Sequence, residues 1–225
     1  MRVLVACEES QEVCKAFRAL GHEAYSCDIQ ECSGGHPEWH IVADVLKVVN
    51  GGIFFTQSGT HVVSGFDLLI GHPPCTYLSR VSIQHMSIPG RKELQDKAIE
   101  FFLALKNAPI EKKCLENPVP QKRVREKIGF CSQVIQPYYF GDPHIKTTCL
   151  WLYGLPKLRG LEEVALNPRH YKPKPMGYNS RGNPYYFSDM RSGKTKAKQR
   201  SKTFPGIARA MAEQWGGRIE KELNT

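Results

Sequence analysis

The sequence predicts an α/β fold built around a mostly parallel sheet, and three observations predict it. A strand, a helix and a second strand follow one another over residues 3–29. Two short apolar runs, at 66–70 and 114–115, are separated by a segment with helical periodicity. Two β-rich runs, at 134–140 and 147–153, follow each other closely, as in an antiparallel hairpin. Alternating strands and helices are typical of parallel sheets, so we expect an α/β core closed by that hairpin.

The opening unit is of a type that binds nucleosides. Residues 3–6 are apolar, and Ser10 is expected to cap a helix that ends at Gly21. One apolar stripe follows that helix: Val13, Phe17 and Leu20. A second strand over 22–29 contains Asp28 at its end. A carboxylate at the end of the second strand of such a unit binds the ribose hydroxyls of an adenosine.

Further elements follow from the same kinds of pattern. A third short strand at 40–43 leads into Asp44, which is expected either to accept a hydrogen bond from an adenine amine or to cap a helix. The Gly, Ser and Thr residues of 51–65 predict an irregular excursion. A helix is expected over 93–105, and its apolar face is expected to pack on the sheet with these side chains: Leu94, Ala98, Phe101, Phe102 and Leu105. A shorter basic helix is expected over 121–128.

Two short motifs lie where consecutive strands are expected to end. Pro-Pro-Cys, ending at Cys75, follows one apolar run, and Glu-Asn-Pro, starting at Glu116, follows the next. Because the carboxyl ends of parallel strands meet at one edge, where open α/β sheets bind ligands, the thiol and the carboxyl are expected at one site. Either motif alone is a weak signal, since an isolated Cys is usually a small buried hydrophobe and Glu-Asn-Pro is a common turn sequence. Both motifs in this order point to catalysis.

These residues carry a resemblance to a known family. Pro-Pro-Cys after one strand and Glu-Asn-Pro after the next resemble the paired catalytic motifs of the DNA cytosine-C5 methyltransferases, with Pro118 in place of the usual Val. The resemblance implies a Rossmann-like class I methyltransferase fold that uses S-adenosylmethionine. It also implies that Cys75 adds to carbon 6 of a cytosine rotated out of the duplex, so that carbon 5 can accept a methyl group. Glu116, with a raised pKa, would hold a proton near ring nitrogen 3 and bond the exocyclic amine.

The loop after the first strand departs from that family. Its members usually carry a glycine-rich turn there, whereas this chain has Cys7, Glu8 and Glu9 with no glycine before the helix. The two glutamates are expected either to meet the amino group of the cofactor or to lie in the first helical turn, where the helix dipole favours acidic residues. The resemblance implies the following cofactor-binding residues: Cys7, Glu8, Glu9, Asp28, Ile29, Asp44, Val45, His72 and Pro73.

Two features of the second half are also interpreted through the resemblance. The closing hairpin of the family carries arginines that hold the base and its phosphate, and Lys146 is the basic residue at the start of the last strand here. Lys146 is therefore assigned a catalytic role, without the two-pronged contact of an arginine. The helix expected over 204–216 resembles the C-terminal helix of the family, which lies beside the cofactor. Core packing is the simpler role for three of its residues: Ile207, Met211 and Trp215.

The charge distribution predicts a nucleic acid as the partner. The net charge of +9 is matched by residues 157–202 alone, which contain twelve Lys or Arg and three Asp or Glu, interleaved with tyrosines. Double-stranded DNA is the expected partner, and a solvated loop is the alternative for this segment. The segment 76–90 is expected to form a mobile lid over the base. These residues are expected to contact nucleic acid: Thr76, Ser79, Arg80, Lys194, Lys196, Lys198, Arg200 and Lys202.

One domain with short additions is expected. Residues 1–156 are assigned to the catalytic core, 157–203 to a basic segment that contacts nucleic acid, and 204–225 to a C-terminal helix on the core. The family usually inserts a large target-recognition domain where this chain has about forty-five residues. The resemblance therefore implies a compact member, of a phage or restriction-modification type, whose sequence readout comes from the basic segment, from 51–65 or from a partner.

Composition narrows the setting of the protein. No run is long enough to span a membrane and no signal peptide is recognised, so a soluble protein in the cytosol of a bacterium or a phage-infected host is expected. Four of the eight cysteines lie in apolar runs or on a helix, which favours reduced thiols. A monomer is expected, with a homodimer as the alternative. No metal is expected, although the spacing of four residues could be drawn as a zinc site: Cys27, Cys32, His36 and His40.

Three functions stay open at this point. The first is DNA cytosine-C5 methylation. The second keeps the thiolate chemistry but acts on RNA or pyrimidine nucleotides, or transfers a group other than methyl. The third is DNA binding without catalysis, which the glycine-free first loop favours and the presence of Cys75 and Glu116 disfavours.

Overall fold

Seven strands of the described chain form one sheet with a parallel body and an antiparallel edge. The computed structural model describes residues 1–186 and 201–217. Its strands are β1 (Arg2–Ala6), β2 (Glu23–Asp28), β3 (His40–Val42), β4 (Gly52–Thr56), β5 (Gly59–Val63), β6 (Leu68–Gly71), β7 (Lys112–Pro118), β8 (Gln133–Ile135), β9 (Thr148–Tyr153), β10 (Gly177–Tyr178) and β11 (Pro184–Tyr185). The sheet order is β3-β2-β1-β6-β7-β9-β8; the first five strands are parallel, and β9 is antiparallel to both of its neighbours. The prediction of a mostly parallel sheet closed by an antiparallel hairpin is confirmed.

The helices join these strands and cover the sheet. They are α1 (Glu12–Ala19), α2 (Arg91–Lys106), α3 (Lys122–Ile128), α4 (Glu162–Leu166), α5 (Pro168–Tyr171) and α6 (Pro205–Met211). A π-helical turn, Ala212–Gly216, continues α6. Within the ranges that the structure describes, no helix has both the length and the apolar character needed to cross a bilayer.

Side chains on both faces of the sheet form the core. On one face, Phe102 of α2 meets Trp151 of β9 edge to face, with ring centroids 5.1 Å apart. On the other face, Phe17 of α1 and Met211 of α6 are fully buried. Leu4 of β1 packs with the first group and its two strand neighbours pack with the second, as the pleat of a strand requires. Both faces are thus covered, which leaves the carboxyl edge of the parallel strands for a site.

The start of α1 differs from the prediction. Ser10 does not cap the helix: Gln11 occupies the N-cap position in a left-handed conformation, with φ 60°, and its side chain makes no capping bond. The cap comes from Glu8, whose carboxylate oxygens accept the backbone N–H groups of Val13 (2.7 Å) and Cys14 (3.2 Å). A carboxylate below the first helical turn also interacts favourably with the helix dipole.

The segment 51–65 is a β-hairpin, so the prediction of an irregular excursion is wrong. β4 and β5 pair antiparallel, with Ile53 opposite Val62. Phe54 faces inward and joins the core. The β-branched and aromatic residues of this segment favour strands. Gly59 does not interrupt them, because it lies just after the turn with φ 120°, a conformation that glycine adopts without strain.

The buried face of α2 is rotated from the predicted one. Leu94 is 41% exposed. The buried positions of the helix are Gln95, Ile99, Phe102 and Leu105. Gln95 can lie inside because its amide bonds to groups beneath the helix, including the carbonyl of Tyr77 at 2.9 Å.

The closing hairpin has a shorter first strand than expected. β8 pairs with β9, but residues Pro137–Phe140 form a 3₁₀ turn and do not continue the strand. Pro137 suits the first position of that turn, because its fixed φ is helical and its missing N–H would have no partner there.

The C-terminal helix packs against α1 and against the turn that follows β8. Ile207, Met211 and Trp215 are buried, so their assignment to core packing is confirmed. The N–H of Gly206 donates to Oδ2 of Asp142 at 2.9 Å. A Cβ at position 206 would lie 2.2 Å from a backbone carbonyl oxygen, so glycine permits this close approach.

Candidate active site

The carboxyl ends of β6 and β7 lie side by side. Gly71, the last residue of β6, pairs with Leu115 of β7. Glu116 is the next residue of β7, and the chain leaves β6 toward Cys75. A Cβ on Gly71 would lie 2.7 Å from the Leu115 side chain, so a larger residue would require that side chain to move. The two motifs therefore reach the same edge of the sheet.

Cys75 lies on an exposed turn with a well-anchored backbone. The N–H of His72 donates to the carbonyl of Ala6 at 2.9 Å, and the Asn117 amide donates to the carbonyl of Pro73 at 2.7 Å. The carbonyl of Cys75 accepts two backbone N–H groups further along the chain, at 3.1 and 3.0 Å. Because the residue is exposed, a substrate can reach its thiol.

Glu116 is buried and bonded to His72. Its Oε2 lies 3.0 Å from Nδ1 of His72, and the two side chains are 11% and 9% exposed. Burial raises the pKa of Glu116, but the His72 hydrogen bond and the charges of Lys146 and His72 outweigh burial, so that the pKa lies below its ordinary value. The expectation of a raised pKa is therefore wrong, because these partners come from distant parts of the sequence.

Three buried polar atoms at this edge have no hydrogen-bond partner within residues 1–186 and 201–217. They are Nε2 of His72, Oε1 of Glu116 and Oδ1 of Asn117. Buried polar atoms are almost always bonded, since leaving one unbonded costs about 1–3 kcal/mol. Unsatisfied atoms in one loop and at one strand end mark a place where a polar ligand or an ordered water would supply the missing bonds.

Glu8 is a second buried carboxyl within electrostatic reach of His72. Burial raises the pKa of Glu8 to about 7, against the opposing effects of the His72 charge and of two N–H groups of α1. Both oxygens bond the start of α1, so the geometry favours a helix-capping role over contact with a cofactor. Glu9 also lies before the helix, where its carboxylate accepts a hydrogen bond from Oγ of Ser33.

Asp28 and Asp44 lie at the ends of neighbouring strands. One oxygen of each accepts a backbone N–H two residues further along the chain, at 3.0 Å in both cases. Asp44 thereby caps a short 3₁₀ turn, which is the second of its two expected roles. Cys7 lies close to both carboxylates, since burial and the charges of Asp28, Cys27 and Asp44 raise the pKa of its thiol.

The first loop obtains its shape without glycine. Cys7 itself is left-handed, with φ 59°, at a cost of about 1 kcal/mol for a residue with a Cβ. Among the other cofactor candidates, Ile29 is 77% exposed beside Asp28, whereas Val45 and Pro73 are buried. Ile29 is therefore accessible to a flat apolar group, and Val45 belongs to the core.

Lys146 approaches the site from the loop before β9. Its charge lowers the pKa of Glu116, so the two groups are within electrostatic reach of each other. Its Nζ lies 5.9 Å from the ring centroid of Phe204, and its backbone N–H donates to Oε1 of Gln136 at 3.0 Å. The position is compatible with the role assigned to Lys146 from the sequence.

The expected lid is anchored at its start by a buried polar network that sequence reasoning missed. Gln95 of α2 donates to the carbonyl of Tyr77 at 2.9 Å and to Oε1 of Gln121 at 3.1 Å. Gln121 donates to the carbonyl of Ser79 at 3.2 Å and to Oγ of Ser82 at 3.0 Å. A glutamine on the apolar face of a predicted helix was the signal that could have revealed this network.

The candidate contacts with nucleic acid divide by exposure. Thr76 and Arg80 are exposed, and Lys202 is partly exposed. Ser79 is buried beneath the loop, so its expected contact with nucleic acid does not fit its position. The remaining candidates lie outside the described residues: Lys194, Lys196, Lys198 and Arg200.

The zinc alternative does not form in the part of the chain that the structure describes. No three His, Cys, Asp or Glu side chains converge there as metal ligands would. Cys27 donates its S–H to the carbonyl of Ala43, and Nδ1 of His40 lies 2.8 Å from Oγ of Ser26. All eight cysteines lie within the described residues, and none of them is paired in a disulfide bond there.

The chain is similar to solved structures at low sequence identity, and two of them are described. The chain is similar to a DNA modification methyltransferase encoded within a prophage (E. coli), at 15% identity and a TM-score of 0.42, over 73% of this chain and 50% of that one. It is also similar to the Dnmt2 methyltransferase of S. pombe, at 14% identity and a TM-score of 0.39, over 74% and 53%. The chain spans about half the length of each. No protein-family model and no curated protein matches the sequence.

Proposed function

We propose that this protein is a DNA cytosine-C5 methyltransferase that uses S-adenosylmethionine. The observation that carries the proposal is an exposed thiol, Cys75, and a buried carboxyl, Glu116, at the ends of two adjacent parallel strands. The unbonded Oε1 of Glu116 supports the proposal, because a buried acceptor suits an exocyclic amine. The pairing of a thiol with a carboxyl favours catalysis over DNA binding alone, which needs neither.

The thiolate of Cys75 would add to carbon 6 of the cytosine ring. A sulfur–carbon bond forms, and the electron pair of the 5,6 double bond makes carbon 5 nucleophilic. After carbon 5 has taken a methyl group, its proton passes to a water molecule and the electron pair of that carbon–hydrogen bond re-forms the 5,6 double bond. The thiolate then leaves with the electron pair of the sulfur–carbon bond. Glu116, after taking up a proton from solvent, would donate it to ring nitrogen 3 and accept a hydrogen bond from the exocyclic amine, which stabilises the charge that develops as the thiolate adds. A base inside a duplex must rotate out to meet a thiol on this loop.

The ends of β1, β2 and β3 fit an adenosine-containing cofactor in part. The oxygens of Asp28 and Asp44 that do not bond the backbone would bind ribose hydroxyls and the adenine amine, and the exposed Ile29 would contact the ring. Glu8 does not fit a role at the amino group, because both of its oxygens bond α1. When bound, S-adenosylmethionine supplies an electrophilic methyl group.

Double-stranded DNA as the substrate is supported by charge. The exposed Thr76 and Arg80 follow Cys75, and the basic residues of 157–203 would neutralise phosphates. We assign these residues to a basic addition to a catalytic core at 1–156, with 204–225 as a C-terminal helix. In a chain of this length, that addition would take over part of the work of a target-recognition domain.

Trapping a covalent adduct tests the proposal. The protein is incubated with S-adenosylmethionine and duplexes that carry 5-fluorocytosine in many sequence contexts, because fluorine at carbon 5 blocks the final elimination. We expect mass spectrometry to detect a protein–DNA adduct and peptide mapping to locate it at Cys75. Cys75→Ala should abolish the adduct, whereas Cys131→Ala, a matched change at a partly exposed cysteine, should retain it.

The outcome that would overturn the proposal is the lack of any adduct at Cys75 under conditions in which calorimetry detects bound cofactor. An adduct that forms with RNA carrying the same base, and not with the DNA duplexes, would assign the chemistry to an RNA substrate.

A further inference from the structure

The guanidinium of Arg91, the first residue of α2, lies over the ring of Tyr77. Its Cζ is 4.9 Å from the ring centroid, which is within the range of a cation–π contact. Gln95 lies one turn further along the same face of α2 and bonds the carbonyl of Tyr77 at 2.9 Å. Two side chains of one helix face therefore hold the ring and the backbone of Tyr77, two residues after Cys75.

The charge of Arg91 has no carboxylate partner within residues 1–186 and 201–217. Arg123, on the neighbouring helix, differs in this respect, because its Nη2 lies 2.5 Å from Oδ1 of Asp96. Nε of Arg91 is buried and makes no hydrogen bond among the described residues. Its two Nη groups make none there either, yet they are not among the buried unbonded atoms, so they reach solvent. A bound anion or ordered water would supply the missing acceptors.

The position of Arg91 is unfavourable for a cation in the folded protein alone. The N-terminus of a helix carries a partial positive charge, so acidic residues stabilise the first turn and basic residues destabilise it. α2 begins with Arg91 and Lys92 before the acidic Glu93, and no side chain caps it. Where a chain departs from such a local preference, a function for the residue is the expected reason.

We infer that Arg91 binds a backbone phosphate beside the cytosine that Cys75 attacks, with Tyr77 as the platform that orients its guanidinium. This inference rests on the proposed function. A planar guanidinium can present two parallel N–H donors to two phosphate oxygens, which an ammonium group cannot do. Because the platform fixes the guanidinium before DNA arrives, less conformational freedom is lost on binding.

The location of the contact follows from the short chain between Cys75 and Tyr77. Their α-carbons are at most about 7 Å apart, since two residues separate them. The turn is fixed, because the carbonyl of Cys75 accepts the N–H groups of Leu78 at 3.1 Å and Ser79 at 3.0 Å. A base that rotates about its backbone to reach the thiol brings its own phosphates to this loop. The exposed Arg80 lies on the same loop, so the phosphates would meet two cations.

Salt titrations of DNA binding test the phosphate contact. In Arg91→Gln, the slope of log affinity against log salt should decrease by about 0.9, as for one phosphate. The Kd for a cytosine-containing duplex should rise on the order of 10-fold. Arg91→Lys should keep the slope and recover only part of the affinity, because it keeps the charge without the two-pronged contact. The Kd for S-adenosylmethionine should stay unchanged, which shows that the variants are folded.

Arg125→Gln is the matched control for these titrations. The Cζ of Arg125 lies 5.0 Å from the ring centroid of Phe130, so its contact is of the same kind but lies outside the loop of Cys75. Its salt slope and its Kd for DNA should follow the wild type.

Duplexes with single neutral phosphates locate the contact. In the sequence context that gives the most adduct, successive phosphates on both sides of the cytosine are replaced one at a time by methylphosphonate, which has a methyl group in place of a charged oxygen. The wild type should lose most affinity at a phosphate that adjoins the cytosine. Arg91→Gln should be insensitive to that replacement and should keep its sensitivity to the others. Tyr77→Leu should also weaken binding, whereas Tyr77→Phe, which keeps the ring, should not.

A wild-type salt slope in Arg91→Gln overturns the inference, and so does an Arg91→Gln protein as sensitive as the wild type to every neutral phosphate. Wild-type affinity in Tyr77→Leu would remove the platform. If the slope falls by about 0.9 in Arg91→Gln but the wild type forms no adduct at Cys75, the proposed function fails while the phosphate contact is retained. If the adduct forms and the slope does not change, the proposed function is retained and the role of Arg91 is removed.

Discussion

Glu8 and Glu116 are both buried within reach of His72, yet their pKa values move in opposite directions. Burial acts on both carboxyls, but Glu116 gains a hydrogen bond from His72 and the charge of Lys146, which together outweigh burial. Glu8 gains the more distant charge of His72 and two backbone N–H bonds, and these together do not outweigh burial. Two carboxyls whose environments separate their pKa values are suited to different tasks. Glu8 holds the start of α1, and Glu116 remains available for its proposed catalytic role.

Replacing Glu8 by Gln should reduce the pH dependence of stability. The pKa of Glu8 is raised from about 4.5 to about 7, so the folded protein keeps a proton that the unfolded chain releases. The stability that this proton contributes is fully present below about pH 4.5 and is lost as the pH rises through about 7. Between about pH 5 and about pH 8, the wild type should therefore lose about 2 kcal/mol more free energy of unfolding than Glu8→Gln, as measured by urea titration.

Glu111→Gln, at an exposed position before β7, is the control for this titration and should follow the wild type. Equal pH dependence in the wild type and Glu8→Gln would mean that Glu8 titrates as a surface carboxyl does, and the account of its burial would be wrong.

At the scale of elements, α2 does more than connect β6 to β7. Gln95 lies on its buried face and links the carbonyl of Tyr77 to Gln121, while Arg123 of α3 donates to Oε1 of Gln95 at 2.8 Å. The loop that carries Cys75 is therefore held by two helices at the point where it leaves the site. A closing movement of the expected lid would have to begin beyond this anchor.

Gln95→Ala should loosen the loop while leaving intact the residues proposed to bind the cofactor. The change removes bonds to Tyr77, Gln121 and Arg123, and we expect a loss of about 1–3 kcal/mol in the free energy of unfolding. Hydrogen exchange should become faster at residues 77–82, and kcat should fall. The dissociation constant for S-adenosylmethionine should not change, because the strand ends that would bind it are elsewhere.

The matched control is Glu100→Ala, on the exposed face of the same helix, for which exchange at 77–82 should stay as in the wild type. Wild-type exchange rates in Gln95→Ala would show that the network does not hold the loop.

At the scale of the whole molecule, the excess positive charge and the proposed catalytic residues lie in different parts of the chain. The residues outside 157–202 carry nearly balanced charge, whereas that segment has twelve basic and three acidic residues. Under the proposed function, a partner with many phosphates would be attracted by one part of the chain and modified by another, so that affinity and catalysis depend on different residues.

Replacing four basic residues by Gln should flatten the salt dependence of DNA binding. The four positions are Lys194, Lys196, Lys198 and Arg200. Each phosphate contact contributes about 0.9 to the slope of log affinity against log salt, so the slope should decrease by about 3 to 4 in fluorescence anisotropy titrations. The control replaces four exposed lysines of residues 1–156 together, and it should change the slope little: Lys47, Lys92, Lys122 and Lys127. An equal effect of both sets would argue against a dedicated role for the basic segment.

Local patterns were sufficient for most of the fold. Apolar runs and periodicity predict β1, β6 and α2 because strands and helices repeat on scales of two and about 3.6 residues, which a sequence displays directly. The hairpin at 51–65 was missed because its glycines suggest a loop, while its pairing depends on strands that meet in space. The predicted buried face of α2 differs from the observed one because Gln95, as a polar residue, is expected to be exposed until its buried hydrogen-bond partners are known.

The sequence by itself determined that Cys75 and Glu116 follow neighbouring strands, since each motif lies directly at the end of an apolar run. Only the tertiary structure decided that His72 bonds Glu116 across 44 residues of sequence, and that Glu8 serves α1. The physical reason is that a proton's position depends on burial and on charges a few ångströms away. Those neighbours come from different elements, and no local pattern of residues records which of them meet.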